Sequence, residues 1–174
     1  MIHGIDILRK KYPAFDEENY QPAGIDLNVG MIYTINQSAE IGIVHGHKMS
    51  APLEELDFVE KYYNVVAGIN SVYDDVWRLE PGFSYIFEVD RPIKISEDSC
   101  QFYLPRSTLL RNSISVQTAL GDNGYNGRLR FLVINHNEIA PFYISKGERF
   151  AQLIDFEVDG WNESYDGDYQ EEEN

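Results

Sequence analysis

The sequence contains few cysteines, few basic residues and no long apolar run. Cys100 is the only cysteine among 174 residues, so no disulfide can form within the chain, and a reducing compartment is favoured. No apolar run approaches the roughly 20 residues that a membrane span requires. The first four residues, Met1 to Gly4, lack the features of a signal peptide. We therefore expect a cytoplasmic protein that does not bind membranes.

Basic residues are scarce relative to acidic ones. The chain has 14 Lys and Arg against 29 Asp and Glu, which gives a net charge of -15. Nucleic-acid phosphates need Lys and Arg to replace their counterions, so we expect no general binding to nucleic acid. Nine acidic residues and no Lys or Arg occur from Asp155 onward. Residues 161–174 are accordingly predicted to be an acidic tail, either a candidate lid or a solvated terminus.

The length and composition predict a single domain over residues 1–160. A chain of 174 residues with 43% hydrophobic content is long enough and apolar enough to bury a core of its own. The acidic tail would lie outside that core.

Short strand-like runs dominate the chain. Gly4 to Lys11 has the pattern of one short helix, which ends before Pro13. Ala51 to Tyr63 is compatible either with a helix or with a pair of strands around a loop. Short alternating runs separated by Gly, Pro and Asn turns predict a mainly β sandwich or barrel. The predicted strands are Ile25 to Ile35, Tyr85 to Asp90, Cys100 to Leu104, Arg128 to Ile134, Phe142 to Ile144 and Phe150 to Phe156.

One polar stretch, Pro105 to Arg111, follows a predicted strand. The hydroxyls of Ser107 and Thr108, together with backbone N–H groups at a helix start, are suited to phosphate oxygens. Arg106 offers a bidentate contact as well. The alternative is that Ser107 or Thr108 caps a short helix and Arg111 lies on the surface.

Two further stretches combine turn residues with polar groups. Asp122 to Gly127 contains Asn-Gly twice between strand-like runs, which predicts a hairpin. Its function would require the Asp122 carboxylate to lie beside a sugar and its α-phosphate; the alternative is a turn with a solvated carboxylate. Gly147 to Ile154 places Gln152 on a strand after a turn, where it either binds a phosphate or is simply exposed.

The order and spacing of these three stretches, together with Ala23-Gly24-Ile25-Asp26-Leu27 upstream, resemble the dUTPase and dCTP deaminase family. The resemblance implies a dUTPase-like nucleotide-binding domain, a distorted jelly-roll-like β-barrel with one or two short helices. It also implies a C3 homotrimer with three sites at subunit interfaces. The implied reaction is hydrolysis of dUTP to dUMP and pyrophosphate with Mg²⁺, the metal being held on the substrate phosphates.

The same resemblance implies roles for individual residues. Asp122 would be the general base that activates water, and Tyr125 would pack on the deoxyribose. Asp26, Gly124 and Gly127 would support the site structurally. The remaining candidates would bind substrate: Arg106, Ser107, Thr108, Arg111 and Gln152 at the triphosphate, and Tyr165, Tyr169 and Gln170 in a lid formed by the tail.

Three positions depart from the family pattern and keep other functions open. Deaminases of the family carry a glutamate where this chain has Leu132, and leucine cannot relay protons, so hydrolysis is favoured over deamination. Gly121 replaces a β-branched residue before the aspartate, and Asp168 replaces a lysine of the lid. The alternatives are a dCTP deaminase, alone or bifunctional with dUTP hydrolysis, and a regulatory homologue that binds nucleotide without turnover.

Overall fold

A computed structural model describes residues 1–36, 38–66, 69–159 and 164–167. In these ranges the chain forms α1 (Ile5–Lys11), α2 (Ser107–Arg111) and a 3₁₀ turn at Glu17–Asn19. The strands are β1 (Tyr20–Gln21), β2 (Gly24–Ile35), β3 (Gly42–Val44), β4 (His47–Met49), β5 (Leu53–Glu55), β6 (Tyr62–Val66), β7 (Ile69–Tyr73), β8 (Val76–Leu79), β9 (Ser84–Val89), β10 (Ile93–Lys94), β11 (Ser99–Pro105), β12 (Ile114–Gln117), β13 (Asn126–Gly127), β14 (Arg130–Asn135), β15 (Phe142–Ser145) and β16 (Arg149–Glu157).

Eight of these strands form one curved sheet. Its main path runs β11-β16-β2-β9-β14-β12, and β1 and β5 both pair with β2. All pairings within this sheet are antiparallel. Its two end strands approach each other, because the Thr118 hydroxyl after β12 donates to the Tyr103 carbonyl of β11 at 3.3 Å. The nearly closed barrel confirms the predicted mainly β, jelly-roll-like fold with short helices.

Four small antiparallel pairs accompany the main sheet: β10 with β13, β15 with β8, β3 with β4, and β6 with β7. The strands and their partners resolve the alternatives for Ala51 to Tyr63. The helical alternative is wrong, because the segment contains β5 and the start of β6. The alternative of two strands around a loop describes the segment, although the two strands do not pair with each other: β5 pairs with β2 and β6 pairs with β7.

The core lies inside the curved sheet and is rich in aromatic side chains. Phe87 of β9, Phe131 of β14 and Phe150 of β16 are almost completely buried. The ring of Phe150 meets the other two edge-on, with centroids 5.4 Å from Phe87 and 5.7 Å from Phe131. Each such pair adds about 0.5–1.5 kcal/mol beyond the burial of its area. These contacts fix the central strands against one another.

Helix α1 closes one side of the core. It buries Leu8, and its charges are arranged favourably, with Asp6 in the first turn and basic residues in the last. The predicted helix from Gly4 to Lys11 is therefore correct, with Gly4 as its N-cap. Neither this helix nor any other in the described ranges is long and apolar enough to cross a membrane.

Gly30 marks a close approach between two central strands and leads to a stability prediction. The β2–β9 register shifts between Val29 and Met31. A Cβ added at Gly30 would lie 2.5 Å from Asp90 Cα and 2.9 Å from Asp90 N. We expect Gly30→Ala to lower the free energy of unfolding by about 1–3 kcal/mol, the usual cost of overpacking. Urea denaturation measures this change.

Gly4→Ala is the matched control, because nothing lies within 4 Å of a Cβ added there. Because alanine is a poorer N-cap than glycine, we expect it to lower the free energy of unfolding by less than about 1 kcal/mol, a smaller loss than that of Gly30→Ala. Equal urea midpoints for Gly30→Ala and Gly4→Ala would show that the backbone at Asp90 can move away from a side chain at position 30.

Candidate active site

Strand β16 brings three of the predicted site segments side by side. Gln152 pairs with Leu104 of β11 on one side and with Asp26 of β2 on the other. The backbone N–H of Arg106 donates to the Phe150 carbonyl at 2.9 Å. Because residues paired across strands share a face, Gln152, Asp26 and Leu104 project to the same side of the sheet. Segments separated by more than 120 positions in sequence thus meet at one sheet end.

A buried carboxylate organises this part of the molecule. Asp26 is fully buried, and its Oδ2 atom pairs with Arg106 Nη1 and lies 3.5 Å from Arg149 Nη1. Its Oδ1 atom has no hydrogen-bond partner among the described residues. A buried charge is stable only when paired, so the two arginines are held close to it. Asp26, Arg106, Arg149 and Gln152 are called the Asp26 cluster below.

The other candidates of this stretch lie on α2. Arg106 is the N-cap of α2, and no side chain caps the helix by a hydrogen bond. The alternative in which Ser107 or Thr108 caps the helix is therefore wrong. Both hydroxyl side chains, together with Arg111 in the last turn, are exposed and free to meet a ligand.

Asp122 lies in a tight turn elsewhere in the molecule. The Tyr125 N–H donates to the Asp122 carbonyl at 3.2 Å, and Gly124 adopts a φ of +79°, a conformation that favours glycine. The predicted hairpin is wrong in its pairing, because the two flanks of the turn bind different strands. Gly121 bridges to Gln101 of β11, while Gly127 of β13 is buried and pairs with β10.

The Asp122 turn borders a cavity of about 1110 Å³. Asp122 and Tyr125 are half-buried in its wall, and Tyr103 and Tyr165 line it as well. The Tyr165 N–H donates to the Asn123 carbonyl at 2.8 Å, and its ring meets that of Tyr125 with centroids 5.7 Å apart. The described part of the tail therefore lies across the turn.

Three tail residues, Asp168, Tyr169 and Gln170, lie outside the described residues. Asp166 and Gly167 are the last two positions that the structure describes. Of the predicted lid residues, Tyr165 is accordingly the one whose position is known.

The predicted site residues fall into two groups that one chain does not bring together. Neither the Asp26 cluster nor the α2 residues line the cavity that contains Asp122, Tyr125 and Tyr165. The Asp26 cluster offers cations and a buried acceptor, whereas the cavity offers a carboxylate beside aromatic rings. The first group suits phosphates, and the second suits a sugar and a reacting water.

The position that would carry a deaminase carboxylate is apolar. Leu132 of β14 is half-buried between Ile86 and Gln117, and it does not line the cavity. Glu138 lies in the loop after β14 and is exposed. Neither residue places a carboxylate in the wall that contains Asp122.

Two residues of the site were not predicted from the sequence. Arg149 stands in the same stretch as Gln152, so its charge was visible, but only strand pairing reveals that it faces Asp26. Tyr103 belongs to a strand that the sequence reads as core, and it is almost fully buried while also lining the cavity. No local sequence signal distinguishes it from a core aromatic residue.

Comparisons with known proteins agree over nearly the whole chain. The profile of the family described as dCTP deaminase-like matches residues 4–158. A protein of Methanothermobacter thermautotrophicus named probable deoxyuridine 5'-triphosphate nucleotidohydrolase is 42% identical over 171 residues, 98% of this chain and 100% of its own. A Methanopyrus kandleri protein of the same name is 36% identical and covers 97% of this chain and 99% of its own.

A third relative and a solved structure extend the picture. The deoxyuridine 5'-triphosphate nucleotidohydrolase of Methanocaldococcus jannaschii is 31% identical over 98% of this chain and 99% of its own. The crystal structure of 2'-deoxycytidine 5'-triphosphate deaminase from Agrobacterium tumefaciens superposes with a TM-score of 0.63 at 16% identity. The match covers 88% of this chain but only 47% of that deaminase, and at this identity it shows the fold alone.

The pairing of Asp26 leads to a second stability prediction. Asp26→Asn removes the charge that offsets Arg106 and Arg149, and we expect the free energy of unfolding to fall by about 1–3 kcal/mol. Asp6→Asn is the control, because Asp6 forms an exposed pair with Arg9 at 3.7 Å, and exposed pairs contribute less than about 1 kcal/mol. Guanidinium denaturation compares them. Equal losses would mean that Asp26 is held no more strongly than a surface residue.

Proposed function

The chain belongs to the dCTP deaminase-like family, and we propose that within it this protein is a hydrolase that converts dUTP to dUMP and pyrophosphate. The observation that carries the proposal is its full-length similarity to archaeal proteins named as deoxyuridine triphosphate nucleotidohydrolases. Leu132 supports the same choice, because it leaves no carboxylate for deamination at that position.

The reaction requires a base, and Asp122 supplies it. The Asp122 carboxylate accepts a proton from a water molecule, whose oxygen attacks the α-phosphorus in line with the leaving group. The bond between the α-phosphorus and the bridging oxygen then breaks, and pyrophosphate departs. The half-buried position of Asp122 beside two aromatic rings limits competition from bulk water.

The substrate spans both groups of residues. In the cavity the Tyr125 ring packs on the deoxyribose, and Tyr165 covers the site from the tail. Gly124 and Gly127 keep the turn in shape. At the other end, the guanidinium groups of Arg106 and Arg149 bind the triphosphate. The remaining contacts come from polar groups that flank the arginines, namely Ser107, Thr108, Arg111 and Gln152.

Mg²⁺ on the triphosphate fits the residues present. No group of three or more His, Cys, Asp or Glu in the described ranges is arranged to hold a metal ion, so the phosphates themselves would be its main ligands. The Asp26 Oδ1 atom is buried and has no donor within the described part of the chain. It would accept a hydrogen bond from a metal-bound water, with the Gln152 amide beside it. The bound ion would offset charge that develops on the phosphates.

The separation of the two groups supports a homotrimer with sites between subunits. The face of the sheet that contains Gln152 also carries Phe102 and Leu104, which are 49% and 50% exposed. Phe102 pairs with Ile154, which extends this apolar surface along β16. We infer that a neighbouring subunit packs on this face and brings its own Asp122 turn to the Asp26 cluster, in C3 symmetry.

Two alternatives are distinguished by their products. A dCTP deaminase would release ammonia from dCTP, and a regulatory nucleotide-binding homologue would bind dUTP without releasing pyrophosphate. We favour neither, because Leu132 opposes the first and the full-length hydrolase relatives oppose the second.

The role of Asp122 is tested by substitution. We expect Asp122→Asn to remain folded and to lower kcat for dUTP by about 10²-fold or more, the effect of losing a general base. Glu138→Gln, which neutralises an exposed carboxylate, is the control and should stay within about twofold of wild type. Pyrophosphate release measures both. A kcat of Asp122→Asn close to that of wild type would remove Asp122 from the mechanism. Ammonia release from dCTP by the wild-type protein, at a rate similar to its dUTP hydrolysis, would contradict the hydrolase assignment.

Sites shared between subunits are tested by mixing two inactive variants. Arg106→Gln damages the phosphate side and Asp122→Asn the catalytic side, so each homotrimer should be inactive. In randomly mixed trimers about a quarter of the interfacial sites would combine an intact Arg106 with an intact Asp122 from its neighbour. We therefore expect co-expression to restore about a quarter of wild-type kcat, with trimer mass confirmed by sedimentation. A mixture as inactive as its parents would place both residues in one chain's site.

A further inference from the structure

A chain of buried hydrogen bonds connects the Asp122 cavity to the N-terminal helix. The Tyr103 hydroxyl donates to Gln101 Oε1 at 2.8 Å, and Gln101 Nε2 donates to the Tyr12 oxygen at 2.7 Å. The Tyr12 hydroxyl donates in turn to Asp155 Oδ2, whose other oxygen contacts His3 Nδ1. All five residues are buried. Gln101 Nε2 also lies 3.5 Å from Asp155 Oδ2, so the network branches at Gln101.

The Tyr103 end of this hydrogen-bond network contacts Gly121, the residue that precedes Asp122. A Cβ added at Gly121 would lie 2.3 Å from the Tyr103 hydroxyl oxygen, so the hydroxyl occupies the space of a side chain at this position. Gly121 and Gln101 also exchange two backbone hydrogen bonds of 2.8 Å each. The Tyr103 hydroxyl therefore packs in the space beside Gly121 where another residue would carry a side chain, and Gln101 holds the Gly121 backbone.

We propose that Tyr103 is a positioning residue for the reaction, and that it sets the orientation of the Asp122 carboxylate through Gly121. This inference depends on the proposed function, because it concerns the same carboxylate. Tyr103 differs from an ordinary core residue in that it also lines the cavity with Asp122.

The position of the Tyr103 side chain is fixed from both ends. Its ring packs on Phe131 with centroids 5.1 Å apart, and its hydroxyl is held by Gln101. Burial raises the pKa of Tyr103 above its usual range, so the hydroxyl keeps its proton and remains a donor. A rigid contact one residue from a catalytic carboxylate matters, because displacement of a reacting group by about 1 Å costs as much as 10² in rate.

Removal of the hydroxyl alone tests the proposal. We expect Tyr103→Phe to lower kcat for dUTP about tenfold while KM changes less than about twofold, since orientation for reaction is lost but substrate contacts are kept. The matched control is Tyr85→Phe. Tyr85 is also a buried tyrosine, and its hydroxyl accepts from the Glu80 N–H at 2.7 Å, but it does not line the cavity. It should leave both constants within about twofold of wild type.

A double substitution tests the contact itself. Gly121→Ala should lower both kcat and the melting temperature, because its Cβ would collide with the Tyr103 oxygen. Addition of Tyr103→Phe removes that atom, although contacts of 2.8 Å to Ile95 and 2.9 Å to Gln101 remain. We expect the double variant to regain at least about fivefold in kcat and part of the melting temperature relative to Gly121→Ala, which is the non-additivity of residues in contact.

The outcomes separate this inference from the function on which it depends. If the wild-type protein hydrolyses dUTP but Tyr103→Phe and Tyr85→Phe have indistinguishable kcat values, the positioning role is overturned and the hydrolase assignment stays intact. The same conclusion holds if the effects of Gly121→Ala and Tyr103→Phe on kcat simply multiply in the double variant. A wild-type protein that releases no pyrophosphate from dUTP would overturn both.

Discussion

The structure depends on one strand, β16, which is hydrogen-bonded to β11 on one side and to β2 on the other. This placement puts the Asp26 carboxylate under the end of β11, where Arg106 leaves the sheet. A carboxylate with no solvent exposure must be paired, so Arg106 and Arg149 stabilise the fold whether or not a ligand is bound. Their side chains nevertheless remain 34% and 41% exposed for Arg106 and Arg149, which leaves them accessible to phosphate oxygens.

This arrangement explains how a strongly acidic protein would bind a triphosphate. A net charge of -15 opposes the approach of polyanions through the long-range field, which solvent ions screen beyond about 8–10 Å. Binding must then rely on local contacts, and two guanidinium groups over one buried carboxylate provide them. A divalent cation on the phosphates would lower the remaining repulsion.

The opposite half of the site is held by contacts that are distant in sequence. The Asp122 turn is tied to β11 through Gly121, to Ile95 through two backbone hydrogen bonds of 2.8 and 3.1 Å, and to Tyr165 through the Asn123 carbonyl. A short loop attached at three places has little freedom to rotate. Such preorganisation is what the proposed general base would need. In the proposed homotrimer, a neighbouring subunit would complete the site at the Asp26 cluster.

The sequence by itself determined the features that depend on near neighbours. Alternating apolar residues and Gly, Pro and Asn turns specified the mainly β fold and helix α1, and three short motifs indicated the family and most of the candidate site. Only the tertiary structure decided the strand partners of Ala51 to Tyr63, the pairing of Arg149 with Asp26, and the packing of Tyr103 against Gly121. Those contacts join residues far apart in the chain, and their register is set by core packing, which no local pattern encodes.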